Sequence, residues 1–342
     1  SSLIASTRSR GSWKQTRCVS NSISKVELEE GLDLTLPWDS SKKLNYALAL
    51  IKRGMKVSSV RNYISQSNTL HRLMGHTPPP EDNFLGMILK GSENIETPGK
   101  KVLAITPNIL TLLREKLKTR TDLCREDRKM LWCCMTIMFH GALRVNEALT
   151  GGTQSLTKHD LVWRNIRIVS EKLEEADSEQ TCILIITLPC PKEQKGRKSA
   201  DIELFQQESK LCPVTAFKNW RSCASLEMDR DLPVFRWANG SAFTRSNLQS
   251  FLKSAIGDLE TDQWRIGTHG FRAGLVTTLG LMGESQELIS TVGRWKSESW
   301  QVYTKFGRAS RFKDAKRLAE ASTNATLFNH RNLIAVAESN FD

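Results

Sequence analysis

Two early stretches of the chain place their apolar residues three and four positions apart. In SKKLNYALALIKRG the face is Leu44, Ala47, Leu48 and Ile51, and in VSSVRNYISQSNTLHRLMG it is Val57, Val60, Ile64, His71 and Met74, so each predicts an amphipathic helix. Both run into a glycine, Gly54 and Gly75, which suits a helix end. A shorter helix, NFLGMILK, follows the breaker HTPPP, and GSENIETPGKK then has the composition of a linker. The pattern divides the chain into a helical domain over residues 1–95, a linker at 96–103 and a second domain over 104–342.

Thr106-Pro107 opens that second domain as an N-cap with proline at the first helical position, leading into ILTLLREKLK. RKMLWCCMTIMFHGALRVNEAL is apolar nearly all round and predicts a buried central helix or pair of helices. Arg144 lies inside it, where a guanidinium needs an anionic partner, and Glu147 three residues on can hold it from the same face. Three strand-like runs follow, RNIRIVS, TCILIITLP and ADIELF. The last two are joined as a hairpin by a loop carrying Lys192, Lys195, Arg197 and Lys198. Helical patterns return in LCPVTAFKNWRSC, in FTRSNLQSFLKSAI with Leu248, Phe251, Leu252, Ala255 and Ile256 on one face, and in THGFRAGLVTTLGLMG and ESQELISTVG. The fold class is mainly α, with two domains and a small three-stranded antiparallel sheet in the second.

Composition adds a partner. The formal charge of +12 at pH 7 implies a polyanion, of which nucleic acid is the first candidate. The first 26 residues carry Arg8, Arg10, Lys14, Arg17 and Lys25 among serines with no acid, which reads as a flexible basic arm along phosphates or as plain disorder. Eight cysteines form no CxxC pair and stand apart from histidines, so they read as reduced thiols in an intracellular compartment, and no metal is expected. The longest apolar run, MLWCCMTIMF, is half the length that spans a bilayer, so no membrane partner is expected. The chain begins with Ser1 and is expected to be a fragment, a processed product or a domain of a longer polyprotein.

The candidate chemistry lies in five places. His269 and Arg272 in THGFRAG fall at the first turn of a helix, whose free N–H groups and positive dipole suit a phosphate. GRWKSESWQVYTKFG holds Arg294, Trp295 and Tyr303, the last of three tyrosines in the chain. Phosphodiester transfer to a tyrosine needs fixed guanidinium forks for the non-bridging oxygens and a proton donor for the leaving oxygen. Arg144 in ALRVNE, a lysine in the hairpin, His269 and Arg272, GRW and Tyr303 occur in the order of those parts, and this series resembles the tyrosine recombinase (phage integrase) family. GRW in place of a histidine box, together with the upstream segments, is similar to recombinases of eukaryotic mobile elements of the DIRS and Crypton kinds. The resemblance covers about residues 104 to 307 by motif.

It implies that Arg144 and Arg272 clamp the scissile phosphate, that Lys192 protonates the leaving 5′ oxygen, that His269 assists proton transfer, that Trp295 hydrogen-bonds the phosphate and that Tyr303 attacks. Glu147 and Arg294 support the site, and Lys195 takes the lysine's part if the hairpin register shifts. It further implies a C-shaped clamp on double-stranded DNA, with no metal, ATP or other cofactor. The chain would act as a dimer on one site and a tetramer in synapsis, through a Holliday junction. Its place is the nucleus of a eukaryote or the cytoplasm and nucleoid of a prokaryote. Two alternatives fit the same letters: relaxation of DNA in the manner of a type IB topoisomerase, and a recombinase-derived DNA-binding protein that does not cleave.

Overall fold

A computed structural model describes residues 10–80, 82–150, 160–172, 180–189, 199–224 and 230–295. The chain divides into two compact units, Ser1–Gly99 and Lys100–Asp342.

Four helices build the described part of the first unit: α1 (Arg10–Glu30), α2 (Ser40–Lys52), α3 (Val57–Leu73) and α4 (Asn83–Ile95). The basic arm is a correction. From Arg10 onward it is helix, because Val19, Ile23 and Val26 form a stripe at spacings of three and four that packs into the unit's core. The face of α2 is a second correction: Tyr46, Ala47 and Leu50 are buried, whereas Leu48 is 41% exposed. Lys43 is also buried, its Nζ reaching the Pro80 carbonyl oxygen at 3.3 Å, and the Tyr46 hydroxyl meets Ser22 Oγ at 3.1 Å. In α3 the buried set is Val57, Val60, Ile64, Ser67 and His71, and Met74 is exposed beyond the helix end. His71 ties two segments together, accepting the Trp38 N–H at Nε2 (2.9 Å) while Nδ1 faces the Ser67 carbonyl oxygen at 2.8 Å. The segment expected to be linker is shorter than the composition suggests, since GSENI completes α4.

The second unit is mainly helical with a small sheet. Its helices are α5 (Pro107–Lys118), α6 (Arg125–His140), the single turn α7 (Val145–Ala148), α8 (Pro213–Arg221), α9 (Arg245–Ile256), α10 (Gly270–Met282) and α11 (Gln286–Gly293). Strand β1 (Lys101–Val102) pairs in parallel with β5 (Trp264–Arg265). Strands β2 (Ile166–Lys172), β3 (Gln180–Pro189) and β4 (Ser199–Phe205) form an antiparallel sheet with β3 in the centre. On one face of that sheet Leu184, Ile186 and Leu188 join Ile202 and Leu204 in the core. The β3–β4 ladder runs to the pair Pro189 and Ser199, which brackets the basic loop.

α6 is the axle of this unit. Nine of its residues are buried, from Met130 to Phe139, and its core is shared with α5, α8 and α9. α10 is set close to the segment after β1 by two glycines on one face. A Cβ at Gly274 would stand 1.9 Å from the Ile105 carbonyl oxygen and one at Gly270 2.5 Å from that of Leu103. Ile105 N–H donates to the Gly270 carbonyl oxygen at 2.9 Å. Arg272, two residues along, therefore points away from that contact and toward the end of α6.

Candidate active site

Three guanidinium groups converge where α6 ends. The chain leaves the helix through Gly141 and then Ala142, which adopts a left-handed φ of 45°. That turn presents the Gly141 and Ala142 carbonyl oxygens beyond the negative end of the helix. Arg272 Nη1 donates to the Ala142 oxygen at 2.8 Å, and Nη2 donates to the Gly293 oxygen at the end of α11. Arg294 Nη1 donates to the Gly141 oxygen at 2.7 Å and Nη2 to the Ala142 oxygen at 3.2 Å. Carbonyl dipoles thus fix two like charges side by side.

Glu147 links the third. Its Oε1 accepts from Arg144 Nη1 at 2.9 Å, its Oε2 accepts the Arg144 backbone N–H at 2.8 Å, and Oε2 also accepts from Arg294 Nη2 at 3.1 Å. The local cause is that Arg144 caps α7, which puts Glu147 at the third helical position, within reach of the cap residue. Arg144 and Glu147 therefore pair as their spacing led one to expect, and the carboxylate serves a second arginine too. Side-chain exposure is graded: 27% for Arg144 and 14% for Arg294, and 1% for the whole residue Arg272. A buried guanidinium of this kind is stable only because carbonyls and an aromatic ring replace its water. The ring is Trp295, whose centre lies 4.2 Å from the Arg272 guanidinium carbon.

Two backbone features place that ring. Arg294 takes a left-handed φ of 56°, which turns the chain back after α11, and Trp295 N–H donates to the Ser290 carbonyl oxygen at 2.9 Å. Gly293 leaves the room, for a Cβ there would lie 1.4 Å from the indole. His269 caps α10 at its N-terminus, three residues ahead of Arg272. Its pKa lies below the ordinary imidazole value, first because its ring is partly desolvated and then because Arg272, Arg144 and Arg265 are positive nearby. The residue as a whole is exposed, so the depression reflects packing on the ring and not a core location. The direction of that shift favours the neutral imidazole, the form that can accept a proton.

The structure brings together Arg144, Glu147, His269, Arg272, Arg294 and Trp295. Lys192, Lys195 and Tyr303 lie outside the described residues. Sequence reasoning missed the double role of Glu147 and the stacking of Trp295 on Arg272; Gly293 two residues before a tryptophan was the one local signal for it. Among the described residues no group of three His, Cys, Asp or Glu side chains is arranged to hold a metal, and no helix is long and apolar enough to cross a membrane.

No family model and no curated protein matches the chain. Solved structures do. The site-specific recombinase XerH bound to palindromic difH substrate, in a post-cleavage complex, superposes with a TM-score of 0.55 at 17% identity, covering 87% of this chain and 75% of that one. XerH in its pre-cleavage complex with difH gives 0.51 at 17% identity, over 86% and 74%. A lambda integrase dimer bound to a COC′ core site gives 0.51 at 12% identity, over 89% and 74%. The fold is that of the tyrosine recombinases. At these identities the likeness carries the architecture, and the chemistry has to be argued from the residues.

Proposed function

We propose that the chain is a site-specific DNA recombinase that cuts and rejoins duplex DNA through a 3′-phosphotyrosyl intermediate. The observation that carries the reading is the convergence of Arg144 and Arg272, with His269 beside them, at the junction of α6 and α10. The scissile phosphate is held by Arg144, oriented by Glu147, and by Arg272 once the Trp295 ring moves aside; Trp295 then hydrogen-bonds a non-bridging oxygen. The Tyr303 hydroxyl attacks phosphorus, the bond to the 5′ oxygen breaks, and Lys192 or Lys195 gives that oxygen its proton. Neutral His269 takes the proton of the tyrosine. The phosphotyrosyl ester keeps the energy of the broken bond, so religation by a 5′-hydroxyl needs no ATP and no cofactor. Protomers act as a dimer on one site and as a tetramer in synapsis, through a Holliday junction. A mobile element is the natural parent, and the place of action is the nucleus of a eukaryote or the cytoplasm and nucleoid of a prokaryote.

Strand exchange separates this reading from simple relaxation. Two differently labelled duplexes bearing a site selected from a randomised pool should yield recombinant products and a four-way junction. Relaxation of a supercoiled plasmid without exchanged products would instead favour the topoisomerase-like activity.

A further inference from the structure

A cavity of about 800 Å³ opens at the other end of α6, lined by Arg114 and Lys118 of α5, by Arg125, Arg128 and Lys129 of α6, and by Lys210. Glu208 is the one carboxylate in its lining. Two of these cations are fixed by backbone. Arg128 Nη1 donates to the Arg120 carbonyl oxygen at 3.2 Å, and Lys129 Nζ donates to that of Asn219 at 3.0 Å. Carbonyls orient a positive charge without neutralising it, unlike the Glu115 carboxylate that meets Lys118 at 2.7 Å. The Arg114 guanidinium lies 5.7 Å from the centre of the Trp132 ring and, like Lys118, also faces the Glu115 carboxylate, at 3.9 Å. Arg125 and Lys210 are exposed. The groove therefore keeps an excess of oriented cations in a concave surface, a form that concentrates phosphates.

α6 has 16 residues, which at a rise of 1.5 Å each separates its two ends by about 24 Å. Successive phosphates on one DNA strand are about 3.4 Å apart along the axis, so a duplex lying along α6 would cover that separation in roughly seven base pairs. We propose that the groove binds the phosphodiester backbone of the same duplex that occupies the Arg144 and Arg272 site, about seven base pairs from the reacting step. This rests on the reading that the latter site binds DNA. Arg125 and Lys210 make the outer contacts and extend the footprint without taking part in the chemistry.

The test is an anisotropy titration of the full chain with a duplex of about 30 base pairs across a salt series. For Arg125→Ala with Lys210→Ala, the Kd at about 0.15 M salt should rise about tenfold and the slope of log K against log salt should fall by about 2, because each lost phosphate contact removes about 0.9. The number of chains bound per duplex should not change. The control Arg245→Ala with Lys253→Ala changes the net charge equally on α9 and should leave both quantities nearly unchanged. Arg144→Ala, titrated in parallel, reports the main site, so a failure there is read separately from a failure of the groove. An unchanged Kd and slope in the groove variant, or an equal loss in the control, would overturn the proposal.

Discussion

The two ends of α6 carry the same kind of side chain in opposite circumstances. At the C-terminal end Arg272 and Arg294 lie against the Gly141 and Ala142 carbonyls, with Glu147 between Arg294 and Arg144. At the N-terminal end the cations face an open groove, and Arg125 and Lys210 are exposed. Buried cations lose water and must be fully partnered, so they come to rest in one orientation, as a reaction centre requires. Exposed cations keep their water, and their interaction is screened by salt, which suits steering and weak grip. In the proposed reading, position along one helix thus separates arginines that orient a phosphate from those that gather one.

The largest effect that could break this comparison is at Arg272. Arg272→Ala removes two charge-assisted bonds to buried carbonyls, worth about 3 to 5 kcal/mol of stability together, and should cut covalent complex formation by about 10³-fold or more. Urea unfolding and single-turnover cleavage measure the two losses. An Arg272→Ala chain that is as stable as wild type would show that burial there is not a constraint.

Next comes Glu147→Gln, which keeps the size of the side chain but not its charge. Arg144 and Arg294 would then face each other with no carboxylate between them. Cleavage should fall by about 10-fold to 100-fold, on the order of 2 kcal/mol of barrier, with duplex affinity changed much less. A loss in affinity alone would mean that Glu147 holds the fold and not the orientation of Arg144.

The smallest effect concerns pH. His140, the last residue of α6, has its pKa pushed down to about 4 by burial, against a weaker opposing effect from the Leu211 carbonyl. The folded state therefore refuses a proton that the unfolded chain accepts below about 6.5, and stability falls as pH drops through that window. Between pH 7 and pH 5 the loss from this residue is about 2 kcal/mol. Unfolding of wild type and His140→Gln at both pH values checks it: the variant should lose the smaller share.

Much of this was legible in the letters, and the failures have physical causes. The face of α9 read directly, because Leu248, Phe251, Leu252, Ala255 and Ile256 are apolar and all buried. α2 was misread because its buried face includes Lys43 and Tyr46, whose polar ends find partners in Pro80 and Ser22. α1 was hidden by serines, although Val19, Ile23 and Val26 carried its stripe. The parallel pair of β1 with β5 joins two residues to two others more than 160 positions away, and no local pattern announces it. In the candidate site, Arg144 with Glu147 and His269 with Arg272 were legible because each pair lies within one helical turn. Arg294 reaching back to Gly141, Ala142 and Glu147 was not, since that contact exists only after α10 has packed on α6 and α11 on α10.

The central claim is covalent tyrosine chemistry, and one measurement meets it most directly. Nicked duplexes from a randomised pool, incubated with wild type and with Tyr303→Phe in EDTA, would be run on a denaturing gel. The account predicts a protein–DNA band with wild type that is absent with Tyr303→Phe. A band of equal strength from Tyr303→Phe, or no band from a wild-type chain that shifts the same DNA, would contradict it.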